Sequence, residues 1–510
     1  MTRKFPSVAA ICNSPARRNA LKTMVGGTAA AITGAGCSAA GPNTKHSSQA
    51  EPKPINKGPI RSLNATAAQV QLAPAGTPKT SVWAYDGTVP GTALTVRQGE
   101  SLNIDFRNAL PDPSTVHWHG IRIANAMDGV PHLTQPPVEP GDAFHYQFSL
   151  PDAGTYWYHP HLGTPEQVGR GLYGALIVQE PAPPAVDRDL VWLIDDWRLT
   201  TRAQIKEDFY DWGDVAFAGR IGNTVTVNGQ VDYAESVSAG ERIRLRLINV
   251  ANARLVSLDF KNHPTWIIAL DGNPLPGAVR LNPDAGVLLG PGQRADLIID
   301  MTGEPGSTSP VIDRFSRAQA YVAAQLKYTS KKASVSNNRL TKRDAPPTLL
   351  PNEIPEPEND DRLKVKIVMD GGMMRGPSIP WSERVALRLR QWSGSREAYP
   401  SWSLNGRAHM SHGNEHPFEF VAERGQTVHL TYENRSRHWH PMHLHGHAYR
   451  ELRRNGRPVP MTPWHDTSLI APHETLEIAF VADNPGDWLL HCHILEHHAG
   501  GMGTQFKVNS

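Results

Sequence analysis

The chain of 510 residues has three cysteines, and two of them, Cys12 and Cys37, lie near its start. A chain trimmed behind them has no internal disulfide framework. Charge of one sign is also lacking. Lys and Arg number 51 against 49 Asp and Glu, a formal balance of +2, which excludes nucleic acid or an anionic membrane as the main partner. No apolar run reaches the length of a spanning helix, which argues against stable membrane insertion. Charged residues make up only 20%, whereas Gly and Pro each number 43. That composition suits loop-rich β domains better than helical bundles.

What is present begins with an address. In NSPARRNALK (13–22) the pair Arg17 and Arg18, then Leu21 and Lys22, resemble a twin-arginine export signal, followed by the Ala/Gly-rich MVGGTAAAITGAG. Residues 1–40 are read as a signal peptide, read by the twin-arginine machinery and cleaved after Ala40, giving a periplasmic protein. Lipidation of Cys37 is the less favoured alternative, because Gly34 stands where a lipobox has Leu. Residues 41–78, rich in Pro, Ala, Lys and Ser, read as a tether. The remaining thiol, Cys492, is a hazard in an oxidising space unless something occupies it, and a metal is one such occupant.

One pattern then recurs three times: VRQGESLNIDFRN (96–108), VSAGERIRLRLIN (237–249) and AERGQTVHLTYEN (422–434). Each is a Gly turn followed by a strand ending in Asn. Leu102, Ile104 and Phe106 alternate with Asn103, Asp105 and Arg107, the period of a half-buried strand. A short strand and turn precedes each copy (YDG, VNG, LNG). A second turn and strand follows (PGDAFHYQFSL, PGQRADLIID, PHETLEIAFVA). The expectation is an all-β chain of three related β-sandwich domains at 79–182, 188–328 and 363–510, with a linker at 329–362.

The histidines are not shared evenly. HWHG holds His117 and His119, and YHPH holds His159 and His161. HPMHLHGH holds His440, His443, His445 and His447, and HCHILEHHAGGM holds His491, His493, His497 and His498. The first two clusters lie in domain one and the last two in domain three; the middle repeat has none. Each contains His-x-His, which on a strand puts two imidazoles on one face about 6.6 Å apart. Four such pairs converging would make a multi-imidazole metal cluster. Cys492, between His491 and His493, faces the other way. With His440, His497 and Met502 it makes the blue-copper set of two imidazoles, a thiolate and a weak thioether. The bonds joining Cys492 to its neighbours form a wire for single electrons.

The four clusters resemble the copper-binding segments of the three-domain, laccase-like multicopper oxidases. NAMDGVPHLTQPP (125–137) and GRGLYGAL (169–176) are most similar to the bacterial periplasmic branch linked to copper tolerance and manganese oxidation. The resemblance implies three cupredoxin-like Greek-key domains and four copper ions. It also implies one-electron oxidation of a donor (a phenol, or a metal ion such as Cu(I), Mn(II) or Fe(II)) and reduction of dioxygen to two waters. By motif, His440, Cys492, His497 and Met502 are similar to the type 1 ligands, with His497 the edge through which donor electrons enter. His117 and His443 are similar to the type 2 ligands. His119, His159, His161, His445, His491 and His493 are similar to those of the type 3 pair. A thioether at Met502 implies a moderate rather than a high potential. Asp128 matches a family carboxylate near the type 2 copper and is the candidate proton relay, against the plainer reading of a turn before Gly129. His498 departs from the acidic residue of many relatives and is the second relay candidate. His438 and His447 read as supporting or surface residues, and Asp466 as a hydrogen-bond partner of a ligand. The chain is expected to act as a monomer.

Rival readings are a structural cupredoxin protein without turnover, a copper store, and a two-domain nitrite reductase. The full ligand set opposes the first. The thin methionine group Met369, Met373 and Met374 opposes the second, and the middle repeat opposes the third. Replacing Arg17 and Arg18 by Lys is expected to hold the chain in the cytoplasm; unchanged yield in a periplasmic fraction would refute the export signal.

Overall fold

The protein's structure, a computed structural model, describes residues 59–282, 285–332, 346, 348–358, 362–373, 381–392, 396–410 and 417–510. The export segment, with Arg17, Arg18 and Cys37, lies outside the described residues. Among the described residues no helix is long and apolar enough to cross a membrane.

Six sheets form three β-sandwiches. In each, one strand of the repeat pairs in parallel with the strand that opens its unit. Ser101–Asn108 lies beside Ile60–Val70, Arg242–Asn249 beside Arg188–Trp197, and Thr427–Asn434 beside Leu363–Gly371. The terminal Asn of each copy explains its recurrence. Asn108, Asn249 and Asn434 are buried, and each spends its amide on two carbonyls that close the next turn. For Asn434 these are His438 O at 2.8 Å and Ala471 O at 2.9 Å. For Asn108 they are Asp112 O and Val138 O, and for Asn249 Arg254 O and Leu289 O. A buried amide left without such partners would cost about 1–3 kcal/mol.

The expected tether is a strand over part of its length. Ile60–Val70 lies between Thr80–Tyr85 and Ser101–Asn108, with Leu63 and Ala65 in the core. Its small polar residues hide the alternation, and its parallel partner lies far along the chain, beyond the reach of local pattern. The described residues of the expected linker are docked on the second and first domains. Residues 329–332 finish the strand Tyr321–Lys332, Leu349 packs with Trp266 and Ile298, and the Asn352 side chain bridges Ala153 and Asn273. A helix, Trp381–Trp392, stands in the third unit where only strands were expected.

The second repeat departs from simple alternation. Arg242–Asn249 is buried on both faces, with Arg244 and Arg246 paired to Glu180, Asp189 and Asp296. Its outer face meets the first domain, so the alternate positions carry arginines that need buried partners rather than water.

Candidate metal centre

Each His-x-His pair begins on a strand, and in three of the four the second histidine, His161, His445 or His493, lies just past the strand's end. His117–His119 runs antiparallel to Gly154–His159, with His117 opposite His159. His440–Leu444 runs antiparallel to Gly486–Cys492, with His443 opposite His491 and Met442 opposite Cys492. The alternation of Gly486–Cys492 therefore separates Cys492 from His491, as the sequence implies.

Side chains from the first and third domains converge in buried triads. One donor atom of each member lies within 4.8 Å of the others in His117–His119–His443, His119–His159–His493, His161–His445–His491 and His440–Cys492–His497. The hydrogen bonds around the rings show which nitrogen carries the proton. His117 Nδ1–H donates to Asp128 O (2.7 Å), His159 Nδ1–H to Pro160 O (2.9 Å) and His443 Nδ1–H to Asp466 O (3.0 Å). His445 Nδ1–H donates to Asp128 Oδ2 (2.8 Å) and His491 Nδ1–H to Cys492 O (2.9 Å). His119 is reversed: its Nε2–H donates to Thr467 Oγ1 and Asp466 Oδ1. The other nitrogens, His117 Nε2, His119 Nδ1, His159 Nε2 and His443 Nε2, are buried without a hydrogen bond, as are both ring nitrogens of His493. His445 Nε2 and His491 Nε2 face each other at 3.1 Å.

The thiolate group follows the same rule. His440 Nε2–H donates to Ser436 Oγ (2.8 Å), which itself donates to Asn434 Oδ1. His497 Nε2–H donates to Phe217 O (2.7 Å). Their Nδ1 atoms lie 3.1 Å apart and 3.6 and 3.8 Å from Cys492 Sγ. Met502 is buried and tied by its backbone to both Cys492 and His497.

Burial pushes the pKa of His119, His159, His440, His443, His445, His491 and His493 below that of a free imidazole, and that of His497 down to about 3. All are held in the neutral, metal-binding form. Burial pushes the Cys492 thiol up, so a thiolate there needs a cation beside it. Lone pairs converging without protons, plus a buried thiol among imidazoles, fit copper.

The other expected residues are placed as follows. Asp128 is fully buried and holds two rings through its carbonyl and Oδ2. Gly129, at φ +80°, packs where a Cβ would meet the Val116 carbonyl at 1.9 Å. Asp128 is therefore more than a turn former. His498 stacks on His491 with centroids 4.2 Å apart and meets His161 edge-on at 5.5 Å. His447 is in neither group; it donates to His445 O and packs against Phe480, Trp488 and Phe506. His438 is half-buried beside Trp402. His497 does not offer an open edge, because it is fully buried.

Sequence reasoning missed the part of the second domain. Its turn Pro291–Arg294 presses on the cluster: a Cβ on Gly292, at φ +83°, would lie 2.8 Å from His493 Cγ and 3.1 Å from His119 Cε1. Arg294, fully buried, grips Asp466 with both terminal nitrogens at 2.7 and 2.6 Å. Burial raises the Asp466 pKa, but Arg294 outweighs it and holds the carboxyl well below the usual range. PGQR is visible as a turn in the sequence; its target is not.

Three sandwiches, with an imidazole cluster shared by the first and third and a thiolate group in the third, define a copper protein of the cupredoxin class. Profiles described as "Multicopper oxidase" match residues 66–183, 188–328 and 382–510. A multicopper oxidase of Mycobacterium tuberculosis is 27% identical over 84% of each chain. A laccase of Botryotinia fuckeliana is 28% identical, covering 84% of this chain and 78% of its own. Among solved structures, Lac15 from a marine microbial metagenome is 33% identical, with a TM-score of 0.68, covering 89% of this chain and all of its own. A multi-copper oxidase from Pseudomonas thermotolerans is 29% identical, with a TM-score of 0.75, covering 88% and 98%. The chain belongs to the laccase-like multicopper oxidases: it is a copper oxidoreductase that takes electrons from a donor and passes them to dioxygen.

Arg294→Met leaves Asp466 as an unpaired buried charge, a loss of about 3–5 kcal/mol in stability. Copper bound at the imidazole cluster is expected to fall while the blue band of the Cys492 group persists. Unchanged copper content and an unchanged melting temperature would refute this role.

Proposed function

We propose that the chain is a four-copper oxidase of the bacterial periplasm, exported by the twin-arginine route and acting as a monomer. In this reading His440, Cys492, His497 and Met502 hold the type 1 ion. His117 and His443 hold the type 2 ion, and His119, His159 and His493 with His161, His445 and His491 hold the type 3 pair. The observation that carries it is the hydrogen-bond pattern of the rings, whose protons are drawn outward so that lone pairs meet in the middle. When bound, copper supplies the one-electron chemistry that lets single-electron donors serve a four-electron oxidant.

The chain's own residues do the rest. The backbone from Cys492 to His491 and His493 spans the two groups. Outward acceptors fix the tautomers of His117, His119, His159, His443, His445 and His491 in the cluster, and of His440 and His497 beside Cys492. Asp128 moves protons: Oδ2 holds His445, while Oδ1, 3.3 Å from His117 Nδ1 and without a hydrogen bond, is free to take one up. His498, against His491 and His161, is the second relay. The donor is a phenol or a reduced metal ion. Relatives named as laccases and one named as an iron transport oxidase leave both classes in view.

Metal analysis should find four coppers per chain. Cys492→Ser is expected to abolish the blue band and donor oxidation in a protein that remains folded; a variant that stays blue would refute the type 1 assignment. Asp128→Asn retains the oxygen that accepts from His445 but cannot carry a proton. Anaerobic reduction by donor should proceed normally, and reoxidation by dioxygen should slow by about 10²–10⁴-fold. Two unaffected half-reactions at full copper content would remove Asp128 from the relay.

A further inference from the structure

An apolar cavity lies between the second and third domains. Leu270, Leu275, Val279 and Leu288 of the second wall it, with Trp439 and Leu469 of the third. The turn 460–463 forms its rim, where Met461 is 38% exposed. Met461 and Thr462 take φ of +62° and +37°. Such backbone is costly for a β-branched residue, and strain of this kind recurs at ligand clamps. Arg450 Nη1–H holds the turn by donating to Thr462 O at 2.8 Å.

Charged and amide side chains also reach this space, and the protein satisfies all but one of them. Gln293 spends Oε1 on the Gly290 amide and Nε2 on Thr467 O. Glu451 accepts from Arg454 at both oxygens and from Ser468 at Oε1. Arg454 also donates to Glu474 and to Leu469 O. His465 is the exception. It is 5% exposed, and its Nδ1–H donates to Asp271 Oδ2 at 2.8 Å, but its Nε2 has no hydrogen bond among the described residues. Burial lowers the His465 pKa, yet the carboxylates of Glu451 and Asp271 outweigh it and raise it above that of a free imidazole. Nε2 is thereby kept as a donor, and a donor without an acceptor in an apolar space is costly.

We propose that this cavity binds a small uncharged cyclic ketone, whose carbonyl oxygen accepts from His465 Nε2–H while its ring fills the space against Leu275, Val279 and Trp439. The wall selects each part of that ligand. A lone donor calls for an acceptor. A hydroxyl would leave its own hydrogen unanswered, because the oxygens of Glu451 and Gln293 are already engaged. A charged group would lose its water against charges that are already paired. Ring carbon suits the leucines and the indole. The site stands apart from the copper groups yet touches their support: Asp271 Oδ1 accepts from the Arg294 amide at 3.0 Å, and Arg294 holds Asp466.

The test uses the copper-loaded chain with cyclohexanone and methylenecyclohexane, the same ring with a CH2 group in place of the carbonyl oxygen. Saturation-transfer NMR titrations of the parent chain should show both bound, the ketone about tenfold more tightly, the weight of one hydrogen bond to a charged donor. His465→Asn keeps an amide hydrogen for Asp271 but has nothing in the place of Nε2. It should lower the ketone's affinity to that of the hydrocarbon, whose own affinity should change less than about twofold. Val279→Trp fills the space and should weaken both ligands by about tenfold or more. A cooperative melting curve checks that each variant is folded. Equal affinity of the two ligands in the parent chain would overturn the part given to His465. Absence of saturation transfer in the parent chain, or a signal unchanged in folded Val279→Trp, would overturn the site.

Discussion

Everything in this molecule depends on imidazole lone pairs that face one another in a buried space. A neutral imidazole has one donor and one acceptor nitrogen. In the cluster and the thiolate group, the donor side of ring after ring is satisfied by a carbonyl, a carboxylate or a hydroxyl. The acceptor sides are left pointing at each other. Such an arrangement is unfavourable by itself, since buried polar atoms without partners are costly. A cation removes that cost, so binding of copper and completion of the fold are linked.

The outward acceptors come from every part of the chain, and this explains why three domains are needed when only two carry ligands. Asp128 in the first domain holds His445 of the third. Asp466 in the third meets His119 of the first, and Arg294 of the second holds Asp466. Phe217 of the second holds His497. The second domain thus sets the orientation of rings it does not own. Gly292 shows how closely it approaches, since even a methyl group there would strike His493.

The strand Gly486–Cys492 separates two kinds of chemistry by the simplest rule of β structure, the alternation of faces. Cys492 belongs to the group next to Trp402 and Phe217, and His491 to the cluster that Asp128 and His498 adjoin. The thiolate group and the imidazole cluster therefore lie on different sides of one strand, joined by a few covalent bonds.

The sequence alone determined the β class, the threefold repeat and the residues that converge, because period-2 alternation and His-x-His spacing are local properties of a strand. Cys492 between two histidines was legible for the same reason. The strand Ile60–Val70 was not, since its partner is distant and its residues are small and polar. Nor was the buried Arg244–Asp296 pairing, which follows from two domains meeting. Arg294 and Phe217 lie in segments whose local pattern says only turn and helix end. Their roles arise when a guanidinium and a carbonyl from a domain without ligands arrive within hydrogen-bond distance of Asp466 and His497. For His119, His445 and His497 the nitrogen that keeps its proton was decided by such long-range contacts, whereas His159 and His491 use the carbonyl of the next residue.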